Sequence, residues 1–152
     1  MNYEPGLAPT AYMARENYTL LWRLLENGPV EAQINLVGSF TAKNVDVYNT
    51  VAEIRGSEKP DEVVIIGGHL DSWDLGTGAT DNGTGSMAVL EAARALQKLG
   101  VKPKRTIRFV LFTGEEQGLN GSKAYVKAHQ NELAKISGVL IDDTGTGKVL
   151  TI

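Results

Sequence analysis

Apolar and polar positions follow three rhythms along this chain, and each predicts a different kind of element. Residues 15–27 set Leu20, Leu21, Leu24 and Leu25 at helical spacing before Gly28-Pro29 stops the helix. The first nine residues, with Pro5, Gly6 and Pro9, read as an extended arm. Residues 30–40 and 45–54 alternate with period two, which predicts antiparallel strands with one solvated face toward one edge of a sheet. Val63-Val64-Ile65-Ile66 is a continuous apolar run ending in Gly67-Gly68, the pattern of a central strand covered on both faces. Residues 86–99 carry Val89, Leu90, Ala93 and Leu96 on one face and close at Gly100, so a helix follows. Residues 106–113 read as a second buried strand, 121–129 as a helix with Ala124 and Tyr125 or Ala128 turned inward, and 138–141 as a third core strand. Strand, helix, strand, helix, strand in this order implies an α/β fold with parallel pairing and right-handed crossovers.

Composition narrows the picture. A chain of 152 residues with 42% hydrophobic residues can bury one sizeable core, so one domain is expected over 30–152, preceded by the arm and helix of 1–29. Fifteen Lys and Arg stand against 18 Asp and Glu, and a net charge of −3 offers no electrostatic footprint for nucleic acid or an anionic membrane. Lys102, Lys104 and Arg105 form only a short basic cluster, read as a solvated loop before a strand. The absence of cysteine excludes disulfides and thiolate ligands while leaving the compartment open. Residues 1–9 lack a basic region followed by an apolar stretch, so no signal peptide is expected in them, and no apolar run approaches a membrane span. Nothing in the sequence fixes an oligomeric state.

The polar residues matter by their placement. His69, Glu115-Glu116 and Asp142-Asp143 each follow a predicted core strand, and open α/β sheets bind ligands beyond the carboxyl ends of such strands. Asp81 lies in the glycine-rich run 76–86, which lacks the Lys and Ser or Thr of a phosphate loop and carries an acid that would repel phosphate. One imidazole with several separated carboxylates is a donor set that zinc accepts, and two adjacent ions need a bridging carboxylate, for which Asp81 is the candidate. Asp71, two residues after His69, is placed to reach the ring nitrogen that does not touch metal, fixing its tautomer. Adjacent side chains leaving a strand point in different directions, so one of Glu115 and Glu116 can ligate metal while the other faces the attacking water as a base. Asp142-Asp143 reads either as a turn helped by Thr144-Gly145 or as part of the site. Trp73 and Asp74 read as wall, and His129, at a predicted helix end, as structural.

Four strings taken together resemble the zinc-dependent exopeptidases, the family that includes aminopeptidase Y, bacterial leucyl aminopeptidases and carboxypeptidase Q. They are Gly68-His69-Leu70-Asp71-Ser72-Trp73-Asp74, Thr80-Asp81-Asn82-Gly83-Thr84-Gly85, Lys102-Pro103-Lys104-Arg105-Thr106 and Gly114-Glu115-Glu116-Gln117-Gly118. The resemblance runs from about residue 30 onward and implies a three-layer sandwich with a mixed, centrally parallel sheet, incomplete at its C-terminal side. It implies two zinc ions, with His69 and Asp143 ligating one, Asp81 bridging both and Glu116 ligating a metal. It further implies that Glu115 is the general base, Asp71 the partner of His69, and the Asp81-Asn82 peptide cis. The implied activity is hydrolysis of terminal peptide bonds of small peptides by a metal-bridged hydroxide, in proteins commonly secreted or periplasmic. The family completes its site with a further His downstream, and no such residue occurs before Ile152. Low metal affinity and little or no turnover are therefore expected of these 152 residues alone. An inactive fragment or binding module of the same fold, and a single-zinc relative of the glutaminyl cyclase kind, are the alternative readings.

Overall fold

Val63-Val64-Ile65-Ile66 lies, as its unbroken apolar character predicts, at the centre of the sheet. The computed structural model describes residues 12–35, 37 and 45–147, and the chain falls into two units, 1–44 and 45–152. In the first unit, helix α1 (Arg15–Leu25) forms where the leucine spacing places it. Asn27 ends it, its side-chain amide donating to the Arg23 carbonyl and its backbone N–H to that of Leu24, before Gly28 turns the chain at φ 145°. The strand expected over 30–40 is not formed by the residues described there. Residues 36 and 38–40, like the predicted arm over 1–9, lie outside the described residues. Alternation alone does not make a strand, because each one needs a neighbour to take its backbone N–H and C=O groups.

The second unit holds strands β1 (Thr50–Ile54) and β2 (Lys59–His69), helix α2 (Gly85–Lys98), strand β3 (Arg105–Phe112), helix α3 (Asn120–Ala128), a short 3-10 turn (Gln130–Lys135) and strand β4 (Ile136–Ile141). The strand order is β1-β3-β2-β4. β2 pairs in parallel with both β3 and β4, and β1 closes the other side antiparallel to β3. The sheet is therefore mixed with a parallel centre. The β2-α2-β3 connection steps one way and the β3-α3-β4 connection steps back across β2, so the chain reverses direction at the carboxyl end of β2. Such a reversal leaves a crevice there.

Two neighbouring glycines show what lies on each face. A Cβ on Gly67 would meet the side chains of Phe112 and Ile141, whereas one on Gly68 would meet Asn82 and Gly85 at the start of α2. Successive strand residues point to opposite faces, so the approach to α2 and the apolar cluster of Val63, Ile65, Val110 and Tyr125 lie on opposite sides of the sheet. Phe112 and Ile136 pack on that cluster, and the rings of Phe112 and Tyr125 meet edge to face at 5.8 Å. Arg108 on β3 donates to Tyr125 Oη and to Glu53 and Glu132, tying β1, β3, α3 and the 3-10 turn together. Burial alone would weaken the proton's hold on that guanidinium, but the hydrogen bonds it donates to Tyr125, Glu132 and Glu53 outweigh this and raise its pKa. β4 is poorly covered, with Val139, Leu140 and Ile141 about half exposed.

Candidate metal centre

The last residue of β2 begins the site. His69 is 3% exposed, and its Nδ1 lies 2.9 Å from the carbonyl oxygen of Asp71. A carbonyl only accepts, so Nδ1 carries the proton and Nε2 is the nitrogen presented to the crevice. Nε2 lies 3.0 Å from Asp81 Oδ1 and 3.0 Å from Asp143 Oδ1. Tetrahedral zinc with bonds of about 2.1 Å sets its donor atoms roughly 3.4 Å apart, so each carboxylate oxygen stands a little closer to Nε2 than two donors on one ion would. The backbone of His69 is held as well, its carbonyl accepting from Ser86 Oγ at 2.7 Å.

Asp81 is brought over His69 by an irregular turn, residues 79–84, with a cis peptide between Asp81 and Asn82 as the family resemblance implies. Asn82 is 2% exposed and makes the connection that places Asp143. Its amide nitrogen donates to the Asp142 carbonyl at 2.8 Å, and its amide oxygen accepts from Gly85 N–H at 3.1 Å. Asp142 in turn donates its N–H to Gly67, continuing the β2–β4 ladder by one bond. Asp143 thereby arrives opposite His69 although 74 residues separate them.

The third ligand group follows β3. Leu70 N–H to Phe112 carbonyl extends the β2–β3 pairing, and Gly114 turns the chain at φ 63° into Glu115-Glu116. Asp71 anchors this turn: Oδ1 accepts from Glu115 N–H at 3.0 Å and Oδ2 from Glu116 N–H at 3.2 Å. The contact of Asp71 with His69 thus runs mainly through its carbonyl, its carboxylate standing 3.7 Å from Nδ1. One residue fixes both the imidazole and the two glutamates.

Glu116 is the unbalanced member of the group. Its Oε1 is buried with no hydrogen-bond partner. Burial, together with the negative charges of Asp81, Glu115 and Asp71 and against the pull of His69, raises its pKa. A cation among these carboxylates would offset that repulsion. His69, Asp81 and Glu116 each offer one ligand atom, all within 4.8 Å of one another, and Asp143 joins them through His69. Beside them a pocket of about 280 Å³ is lined by Trp73, the glycine-rich turn, Asp81 and Glu116, which makes Trp73 part of a wall.

Burial lowers the pKa of His69, but the charge and hydrogen bond of Asp143, the Asp71 carbonyl and the charge of Glu115 outweigh it, and the net shift is upward. A histidine whose pKa is raised in the folded state stabilises it in full below the unfolded value of about 6.5, and that contribution is lost as pH rises through the folded value. In urea unfolding with chelator present, the stability difference between wild type and His69→Gln is expected to be larger at pH 6 than at pH 8. Equal differences at the two pH values would contradict this.

His129 takes no part in the group. It ends α3 with Nδ1 2.8 Å from the Tyr125 carbonyl and its ring stacked on Tyr125 at 4.0 Å. Asn82 and Ser86 were not singled out by the sequence, because hydrogen bonds from a side chain to a distant backbone group leave no periodic trace. The adjacency of Asn82 to Asp81 in the glycine-rich run was the available signal.

The sequence profile of peptidase family M28 matches residues 49–150, which contain every residue of this group. The chain belongs to that family. Carboxypeptidase Q of Xenopus laevis is 44% identical over 139 residues, covering 91% of this chain and 29% of that protein. Leupeptin-inactivating enzyme 1 of Streptomyces exfoliatus is 45% identical over 103 residues, 67% of this chain and 23% of that one. Among solved structures, the peptidase M28 precursor from Shewanella amazonensis superposes with a TM-score of 0.64 at 50% identity, over 67% of this chain and 23% of that chain. A zinc aminopeptidase from Bacillus subtilis does so with a TM-score of 0.58 at 34% identity, over 64% of this chain and 24% of that chain. The chain spans less than a third of the length of these relatives.

Proposed function

We propose that this M28 chain supplies the zinc site and the general base of an exopeptidase acting on small peptides. The observation that carries the reading is the buried, unpartnered Oε1 of Glu116 among Asp81 and His69. His69, Asp81 and Asp143 would hold one zinc ion, and Asp81 with Glu116 would hold a second, Asp81 being shared. Two ions rather than one is the reading that the family resemblance supports, with Asp81 within reach of both His69 and Glu116. The resemblance to a zinc aminopeptidase supports the choice of zinc.

When bound, zinc supplies Lewis acidity at the scissile carbonyl and makes water acidic enough to attack near neutral pH. The chain's own residues do the rest. Glu115 takes the proton from the attacking water and returns it to the leaving amine, so that one carboxyl serves as base and then as acid. Asp71 aims it by holding its backbone N–H, and sets the tautomer of His69 through the carbonyl. The buried sheet end behind His69 keeps bulk water from that side of the ring.

Calorimetric titration with Zn2+ tests the ligand set. The wild-type chain is expected to bind zinc, and Asp81→Ala to weaken binding by more than the roughly 10- to 100-fold typical of losing an outer contact, because it removes a direct and shared donor. Equal affinity in the two proteins would sink the assignment.

A further inference from the structure

The loop that carries Glu115 and Glu116 is fastened at two places, and one of them lies outside every motif considered so far. At its tip it hangs from Asp71. At its neck, Thr113 and Gly121 face each other, with Gly121 N–H donating to the Thr113 carbonyl at 2.8 Å. Asn49, the residue before β1, closes this neck with one planar amide. Its Oδ1 accepts from Thr113 N–H at 3.0 Å, and its Nδ2 donates to the Gly121 carbonyl at 2.9 Å. An N–H on one side and a carbonyl on the other fix which way the amide points. The fit leaves no slack: a Cβ on Gly121 would stand 2.3 Å from the Thr113 carbonyl oxygen and 2.4 Å from Asn49 Oδ1.

We propose that Asn49 is a positioning residue for the metal site, setting the Glu116 carboxylate by clamping the two ends of the loop that bears it. The proposal rests on Glu116 being a metal ligand, as argued above. Asn49 itself touches no ligand. It acts because residues 114–120 leave and rejoin the fold through Thr113 and Gly121, and the separation of those two residues sets where the loop tip can reach. Without the amide, one N–H and one carbonyl at the neck lose their partners, and the loop is left to the Asp71 contacts and to backbone bonds such as Gly121 N–H to Thr113 and Asn120 N–H to Gly114.

The test is a double-mutant cycle on Zn2+ affinity, measured by competition with a chromophoric chelator, with Co2+ absorption as a second reading of ligand geometry. Asn49→Ala is expected to weaken zinc binding about 10-fold, as loss of an outer contact does, and to alter the Co2+ bands. In a Glu116→Ala background the same substitution is expected to change nothing further, because its effect runs through Glu116. Asn49→Asp keeps the acceptor for Thr113 and loses the donor to Gly121, and serves in the same cycle if the alanine variant does not fold. Loss of affinity by the same factor in both backgrounds would show a merely structural role and overturn the proposal. Unchanged affinity in a folded Asn49 variant would overturn it too. Unchanged zinc affinity in Glu116→Ala alone is a different outcome: it removes Glu116 from the ligand set, and the role of Asn49 falls with it.

Discussion

Glu115→Gln is expected to lower peptide turnover by about 10²- to 10⁴-fold, the range attributed to a positioned acid-base group, while zinc binding stays near wild type. Glutamine matches glutamate in shape, so the N–H that Glu115 donates to Asp71 and the path of the loop are preserved. What disappears is a carboxylate able to take a proton and give it back. Glu116→Gln should behave differently, because that carboxylate faces Asp81 and His69 and its loss removes a donor from the metal group. Zinc content and hydrolysis of a dipeptide, measured on both variants, separate the roles. Zinc lost from Glu115→Gln and kept by Glu116→Gln would reverse the assignment of the pair.

The second large effect is expected at Gly85. Its backbone, φ −65° and ψ −44°, is ordinary helix, where alanine would normally be favoured by about 0.5–1 kcal/mol. Space decides otherwise. A Cβ there would stand 2.3 Å from the Asp142 carbonyl oxygen and 2.4 Å from Asn82 Oδ1. Overpacking costs roughly 1–3 kcal/mol, and displacing the buried Asn82 amide strands hydrogen-bonding groups at about 1–3 kcal/mol each. Gly85→Ala is therefore expected to lose about 2–4 kcal/mol of stability in urea unfolding. It should also lose zinc affinity, since Asp142 moves and carries Asp143 with it. Gly138→Ala is the control, because an added Cβ there meets nothing within 4 Å. Equal stability of the two variants would show that the close approach of α2 to the end of β4 is not a constraint.

The parts of this fold that were legible in the sequence are those whose physics is local or periodic. Val63 to Ile66 reads as a central strand because both its faces must be apolar, and the helix over 86–99 reads from spacing and a glycine stop. The site was legible as a set because His69, Glu115-Glu116 and Asp143 each follow a strand, and parallel strands bring their carboxyl ends to one edge. The family resemblance added the cis peptide at Asp81-Asn82, which periodicity could not have indicated. The expected strand over 30–40 rested on alternation without a partner, and the described residues there do not form one. The fasteners were hidden for a different reason. Asn49, the amide nitrogen of Asn82 and the carboxylate of Asp71 act on backbone groups 44 to 72 residues away, so nothing beside them in the chain marks those contacts.

The most direct test of the central claim is hydrolysis of small peptides and aminoacyl amides by the zinc-loaded protein before chelation, after chelation and after zinc is restored. Hydrolysis, even at a low rate, that disappears with the metal and returns with zinc is the predicted result. Hydrolysis that survives complete removal of metal, or a protein that takes up no zinc at any concentration, would contradict the account.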